Sequence, residues 1–238
     1  MFRFLKIGTS VILLCLVFYG IYLADEIFSA RKLTVEKIIP MLSNPNFQLK
    51  KTDLSPRQLE ILLKVEDPTF FSHNGMDLST PGAGITTITQ GLVKLLYFDK
   101  FKPGIAKIKQ TLIAVFALNS MVSKDEQLQL FLQLAYFGTD ENKQPILGFS
   151  RASQAFFQIE FSQLNEDQFI SLVATLIAPA IFSPLKNQKM NSDRVEKIKK
   201  LITGEYVPRG LFDVYYGKIP QEFQKDLAPA SYFESYYE

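Results

Sequence analysis

Two adjacent carboxylates, Glu66 and Asp67, close an apolar run containing Leu59, Leu62 and Leu63. Phe70, the chain's only histidine (His73), Gly75 and Asp77 follow at once. On a helix, Glu66 continues the face of Leu62 and Leu63 at spacings of four and three. A carboxyl on the apolar side of a helix end is partly desolvated, which raises its pKa towards a value useful for proton transfer. Spacing alone also describes a solvated helix terminus, and that is the plainer reading. For a lone histidine, a satisfied structural role is likewise plainer than a ligand or base.

A second cluster runs Gly-Ile-Thr-Thr-Ile-Thr-Gln-Gly-Leu-Val-Lys from Gly84 to Lys94. Thr86, Thr87, Thr89 and Gln90 place hydroxyls and an amide beside the free N–H groups of a helix start, an arrangement that can hold phosphate or sugar oxygens. Threonines at helix starts are also ordinary caps. Lys94, Lys102, Lys107 and Lys109 come next, either to neutralise a pyrophosphate or as a solvated basic face.

The elements that must position these residues are mostly helices. Ser55-Pro56-Arg57-Gln58 reads as a capping box with proline at the first helical position, leading to a helix that ends near Pro68. Ser72 to Gly84 is turn-rich. Helical spacing returns with Ile88, Leu92, Val93 and Leu96, and Pro103-Gly104 opens another helix carrying Ile105, Ile108, Leu112, Val115 and Phe116. Ser123–Glu126 and Asn165–Gln168 are two further capping boxes, with Pro179 stopping the second helix. No strand run and no repeat stands out, so the expected fold is mainly α.

The N-terminus gives the setting. No charged residue occurs from Ile7 to Ala24, while Arg3 and Lys6 precede this run and Asp25 and Glu26 follow it. That length suits a transmembrane helix near the lower limit, and the leading positive charge orients it N-in. Tyr22 and Phe28 sit where a cleavage site would need small residues, so a retained anchor is expected over a removed signal peptide. The expected division is an anchor at 1–24, a juxtamembrane segment at 25–53 broken by Pro40 and Pro45, a domain at 54–203 and an aromatic-rich tail at 204–238. The tail ends Ser-Tyr-Phe-Glu-Ser-Tyr-Tyr-Glu and suits either packing on the domain or resting at lipid headgroups. A net charge of +2 argues against nucleic acid as a partner. One cysteine, Cys15, and one histidine exclude an internal disulfide and a zinc site of the usual ligands.

Together the clusters resemble the glycosyltransferase domain of bacterial murein (peptidoglycan) polymerases, in the form of a divergent monofunctional transglycosylase. Glu66, Asp67, Phe70, His73, Gly75 and Asp77 fit that family's first motif, and Gly84 to Gly91 its second, with Thr86 for serine and Gly91 for glutamine. Ser123–Glu126 with Tyr136–Gly138 resemble the fourth, and Gly148, Ala152, Gln154, Phe156 and Phe157 the fifth. The resemblance implies a lysozyme-like helical fold, an N-terminal transmembrane helix and lipid II as substrate. It implies Glu66 as the catalytic base, with Asp67, Phe70, His73, Thr86, Thr87, Gln90, Lys94, Lys102, Lys109 and Gln110 binding substrate. The partners it implies are lipid II, the nascent glycan strand, the inner membrane and other cell-wall synthesis proteins. The domain would face the periplasm.

Three departures stand out. Gln110 occupies the position of the family's second glutamate, Gln133 replaces an asparagine, and the stretch from Asp77 to Thr86 is short. Glutamine cannot ionise, so no metal ligand is assigned and a divalent cation remains an open question. The same departures suit an alternative, a catalytically degenerate member that binds lipid II or glycan and regulates cell-wall synthesis. A lytic enzyme ranks third, because such enzymes lack the basic set.

Overall fold

The computed structural model describes residues 2–47, 49–102 and 104–221. Helix α1 (Phe2–Leu33) runs through a π-helical turn, Thr34–Ile38, into a last short turn, α2 (Ile39–Met41). Pro40 therefore does not break the helix. It stands two residues after the last residue of the π turn, whose wider hydrogen-bond ladder leaves room for a ring with no N–H to donate. Thr9–Met41 is the one helix among the described residues long and apolar enough to cross a membrane, and Val11, Leu13, Leu16, Phe18 and Ile21 are exposed along it.

The lower part of this helix is fastened to the domain. Glu26 pairs with Lys109 at 2.5 Å, and Thr34 Oγ1 meets the Tyr97 hydroxyl at 2.6 Å. Arg31 donates to the Phe116 carbonyl at 2.7 Å and to Ser120 Oγ at 3.0 Å. Phe116 lies in a second π turn, Ala114–Leu118, between α5 (Ile105–Ile113) and α6 (Asn119–Met121).

Helix α3 (Pro56–Glu66) begins at the Ser55 capping box and buries Ile61, Leu62 and Val65. Helix α4 (Ile88–Tyr97) begins at an equivalent box of Thr87 and Gln90. Helix α7 (Lys124–Leu134) follows the Ser123 box, and α9 (Glu166–Leu176) the Asn165 box. Eight successive residues of α9, Phe169 to Leu176, are buried, the pattern of a central helix enclosed on all sides. Around it pack α3, α8 (Phe149–Phe157), α10 (Pro179–Phe182) and α11 (Gln188–Thr203). Pro179 starts α10 besides ending the segment before it. Phe149 anchors an aromatic cluster, with ring centroids 5.0 Å from Phe137 and 6.0 Å from Phe169.

The domain also holds a hairpin that periodicity does not reveal. Strand β1 (Tyr136–Thr139) pairs antiparallel with β2 (Pro145–Leu147), Tyr136 facing Leu147, with a register irregularity between. Asp140 Oδ1 accepts from the N–H groups of Asn142 and Gln144 and so makes the turn locally. After Gly204, residues 205–221 fold back on the domain, and Tyr216 is buried in its core. The final Ser231–Glu238 stretch lies outside the described residues.

Candidate active-site cleft

Glu66 is the last residue of α3, and Asp67 caps that helix with its N–H on the Leu63 carbonyl. The two neighbours then diverge. Asp67 is 1% exposed and accepts from Ile88 N–H at 3.0 Å and from His73 Nε2 at 2.9 Å. Gly75 N–H donates to His73 Nδ1 at 2.9 Å, so the proton of the neutral ring belongs on Nε2, where it points at Asp67. Thr87 Oγ1 donates to the Gly75 carbonyl and also accepts the Gln90 N–H at the start of α4. Gly75 must be glycine: its φ is +94°, and a Cβ would stand 2.8 Å from the Ala114 carbonyl oxygen. The two motif segments are thus laced into one support.

Asp77 extends that support. It accepts from Thr69 Oγ1, from the Ser79 N–H and hydroxyl, and from Thr80, whose hydroxyl contact is very short. These donors outweigh the burial that opposes ionisation and hold its carboxyl well below the usual range.

Glu66 opens instead onto a cleft of about 390 Å³, which it shares with Thr86, Thr87, Lys94, Phe131, Tyr136 and Arg194 among other residues. Burial pushes its carboxyl up to about 7, with Arg194 pulling it down and the charge of Asp67 raising it further. Across the cleft Lys94, on α4, is pushed down to about 7 by burial, with the charge of Lys107 adding to the effect. Burial also lowers Lys107, to about 8. Its ammonium donates to Thr86 Oγ1 at 3.0 Å and to the Ile85 carbonyl at 3.3 Å. Two desolvated cations side by side are costly, and a bound anion would relieve both.

The pattern of the Transglycosylase family matches residues 36–203. The chain belongs to this transglycosylase family. It is 29% identical over 196 residues to penicillin-binding protein 1B of Buchnera aphidicola subsp. Acyrthosiphon pisum, covering 74% of this chain and 25% of the relative. It is 28% identical over 203 residues to penicillin-binding protein 1F of Bacillus subtilis, covering 77% and 28%. Against penicillin-binding protein 1B of Escherichia coli it is 26% identical over 188 residues, covering 72% and 22%. The chain thus spans about a quarter of the length of these curated relatives.

In this transglycosylase-family domain, Glu66, Thr86, Thr87 and Lys94 meet at the cleft. Other residues assigned to substrate from sequence are placed elsewhere. Asp67, Phe70, His73 and Gln90 form the support behind the cleft; Phe70 is fully buried, and Gln90 bonds Thr87 N–H and Thr111 Oγ1. Lys102 is exposed and is not among the lining residues. Lys109 turns to Glu26 of the long N-terminal helix, which neutralises it there. Lys107 turns instead towards Thr86 of the cleft lining, because two positions along a helix rotate a side chain by about 200°.

Gln110 is fully buried; its amide donates to the Gln90 carbonyl at 2.6 Å, while its Oε1 has no hydrogen-bond partner. A neutral amide oxygen without carboxylate companions does not fit a divalent cation, and no cluster of three metal-ligating side chains occurs among the described residues. Gln133 donates to the Leu49 carbonyl at 3.1 Å, tying α7 to the segment before α3. The sequence reading named Lys107 in the basic set but not among the substrate-binding residues, and it missed Arg194 altogether. A buried basic residue on an otherwise amphipathic helix is the only local signal Arg194 carries.

Proposed function

We propose that this chain is a peptidoglycan glycosyltransferase that polymerises lipid II into glycan strands and releases undecaprenyl pyrophosphate. The observation that carries the reading is a desolvated carboxyl, Glu66, lining one cleft with a desolvated lysine, Lys94, while Lys107 reaches Thr86 of the same lining. Glu66 takes the proton from the acceptor sugar hydroxyl as that oxygen forms its bond to the donor's anomeric carbon. The bond from that carbon to the pyrophosphate oxygen breaks, and the electron pair leaves with the pyrophosphate. Lys94 and Lys107 face the negative charge that develops on the leaving group, where fixed cations in a desolvated site are most effective. Thr86 and Thr87 offer hydroxyl and backbone contacts to substrate oxygens. On this reading Lys109 serves the anchor and not the pyrophosphate. The N-terminal helix crosses the inner membrane N-in, keeping the periplasmic cleft near a lipid-tethered substrate.

The buried amide at Gln110 favours a second reading, a family member that binds lipid II without polymerising it. Both are tested by incubating labelled lipid II with the detergent-solubilised full chain and its Glu66→Gln variant. Polymer from the natural protein and not from the variant supports the polymerase. Bound lipid II with no polymer from either protein sinks the enzyme and leaves the binder.

A further inference from the structure

One wall of the cleft comes from outside the motif segments. A strap of residues 208–219 crosses back over the short turn-rich stretch. Gly82 N–H donates to the Gly210 carbonyl at 2.9 Å and Gly84 N–H to the Leu211 carbonyl at 2.8 Å. The fit is close, since a Cβ on Gly82, whose φ is +79°, would stand 2.7 Å from the Pro208 ring. Phe212, Val214 and Tyr215 of the strap line the cleft with Glu66.

The strap also grips Arg194 of α11, which is 2% exposed and lines the same cleft. Its Nη1 and Nη2 donate to the Val214 carbonyl at 3.3 Å each, and its Nε donates to the Ala174 carbonyl at 3.1 Å. The rings of Phe182, Tyr216 and Tyr215 stand 5.2, 5.5 and 5.6 Å from its Cζ. The Tyr216 hydroxyl donates to the carbonyl of Val65, the residue before Glu66. These hydrogen-bond partners are neutral. An enclosed guanidinium cannot shed its proton and calls for a negative charge within reach. The carboxyl that lines the same cleft is Glu66, and each bears on the other's charge.

We propose that Arg194 is the positioning residue of Glu66: the strap fixes its guanidinium in the cleft wall as the counter-charge of that carboxylate, which makes the strap part of the reacting site. The proposal rests on reading Glu66 as the base. The other titratable groups around Glu66 are Asp67 at its own helix end, Lys94 across the cleft, Tyr136 of β1, and Tyr215 and Tyr216 of the strap. Helix α9, packed on α3, has its carboxylates Glu166 and Asp167 at its start, paired with Arg57 and Lys199. Among the described residues, Arg194 is thus the cation that lines the cleft with Glu66 on the strap side.

The test is the protonation of Glu66, followed by carboxyl infrared or carbon NMR titration of the full detergent-solubilised chain, with Glu66→Gln identifying the signal. In Arg194→Met the midpoint should rise by about one pH unit. The acidic limb of the kcat profile should rise with it, KM should hold within about twofold, and Arg194→Lys should restore most of the shift. An unmoved midpoint in folded Arg194→Met overturns the proposal. If the Arg194 variants do not fold, Gly82→Ala, which forces the strap off its seat, should shift the midpoint in the same direction, and no shift there is equally fatal. A chain that makes no polymer would defeat the reading of Glu66 as base, yet the titration would still report on the link to Arg194.

Discussion

Glu66 and Asp67 share one peptide bond and opposite fates. Asp67 faces inward to an imidazole N–H and a backbone N–H at the start of α4, and with Asp77 it belongs to a network in which the carboxylates are met by donors. Glu66 faces a cleft where its influences are burial, a guanidinium held by the strap and the charge of Asp67, with Lys94 on the far wall. One region turns its charges into structure, and the other sets desolvated charges along an open cleft, the kind of place where perturbed groups gather at functional sites. The difference teaches that the two adjacent carboxyls are not equivalent candidates: Asp67 is support, and Glu66 is the one open to the cleft and to the proposed chemistry.

The sharpest way to break that contrast is Glu66→Gln. It should lower polymerisation of labelled lipid II by at least about 100-fold, the usual scale for a general base, while the protein stays folded. The same variant carries a pH signature. A carboxyl raised to about 7 in the fold contributes stability below its ordinary pKa and loses it as pH rises through 7. The variant should therefore become more stable than the natural protein between pH 5 and pH 8, by at most about 3 kcal/mol, as read from thermal unfolding at the two pH values.

Asp67→Ala tests the supporting side. It leaves the His73 and Ile88 donors unmet in a buried place, and should lower stability by about 2–4 kcal/mol in denaturant unfolding. A loss of turnover with stability unchanged would place Asp67 among the reacting groups instead. The far wall comes next in size. Lys94→Met and Lys107→Met should each lower kcat/KM by about tenfold or more, and Lys109→Met by much less. An equal loss from Lys109→Met would return that residue to the substrate side.

The smallest effect is expected at Asp77. Its carboxyl is held below the ordinary range, so it stabilises the fold above about pH 4 and that contribution fades as pH falls through its folded value. Asp77→Asn should cost about 1 kcal/mol near neutrality, with the gap to the natural protein closing in acid melts.

The local parts of the fold were legible. Ser55–Gln58, Ser123–Glu126 and Asn165–Gln168 announce helix starts, and each forms the reciprocal pair of bonds that its residue types allow within one turn. The family pattern at Glu66 and at Gly84 to Gly91 pointed to segments that line the cleft. The hairpin at Tyr136–Leu147 stayed hidden because its strands have four and three residues, too few to show an alternating pattern. Pro40 misled because its cost inside a helix depends on the hydrogen bonding of the turn before it, here a π turn.

What the sequence determined alone is what neighbours in the chain decide between themselves: the capped helices, the apolar N-terminal helix and the motif segments of the transglycosylase family. What only the tertiary structure decided is the direction in which each charge points and what it meets there. Lys107 reaches Thr86 while Lys109 reaches Glu26 because α5 lies between the cleft and the long N-terminal helix. Arg194 shares the cleft with Glu66 because α11 and the returning strap carry it there. Burial and Coulomb interactions depend on distance in space, and no spacing along the chain encodes that.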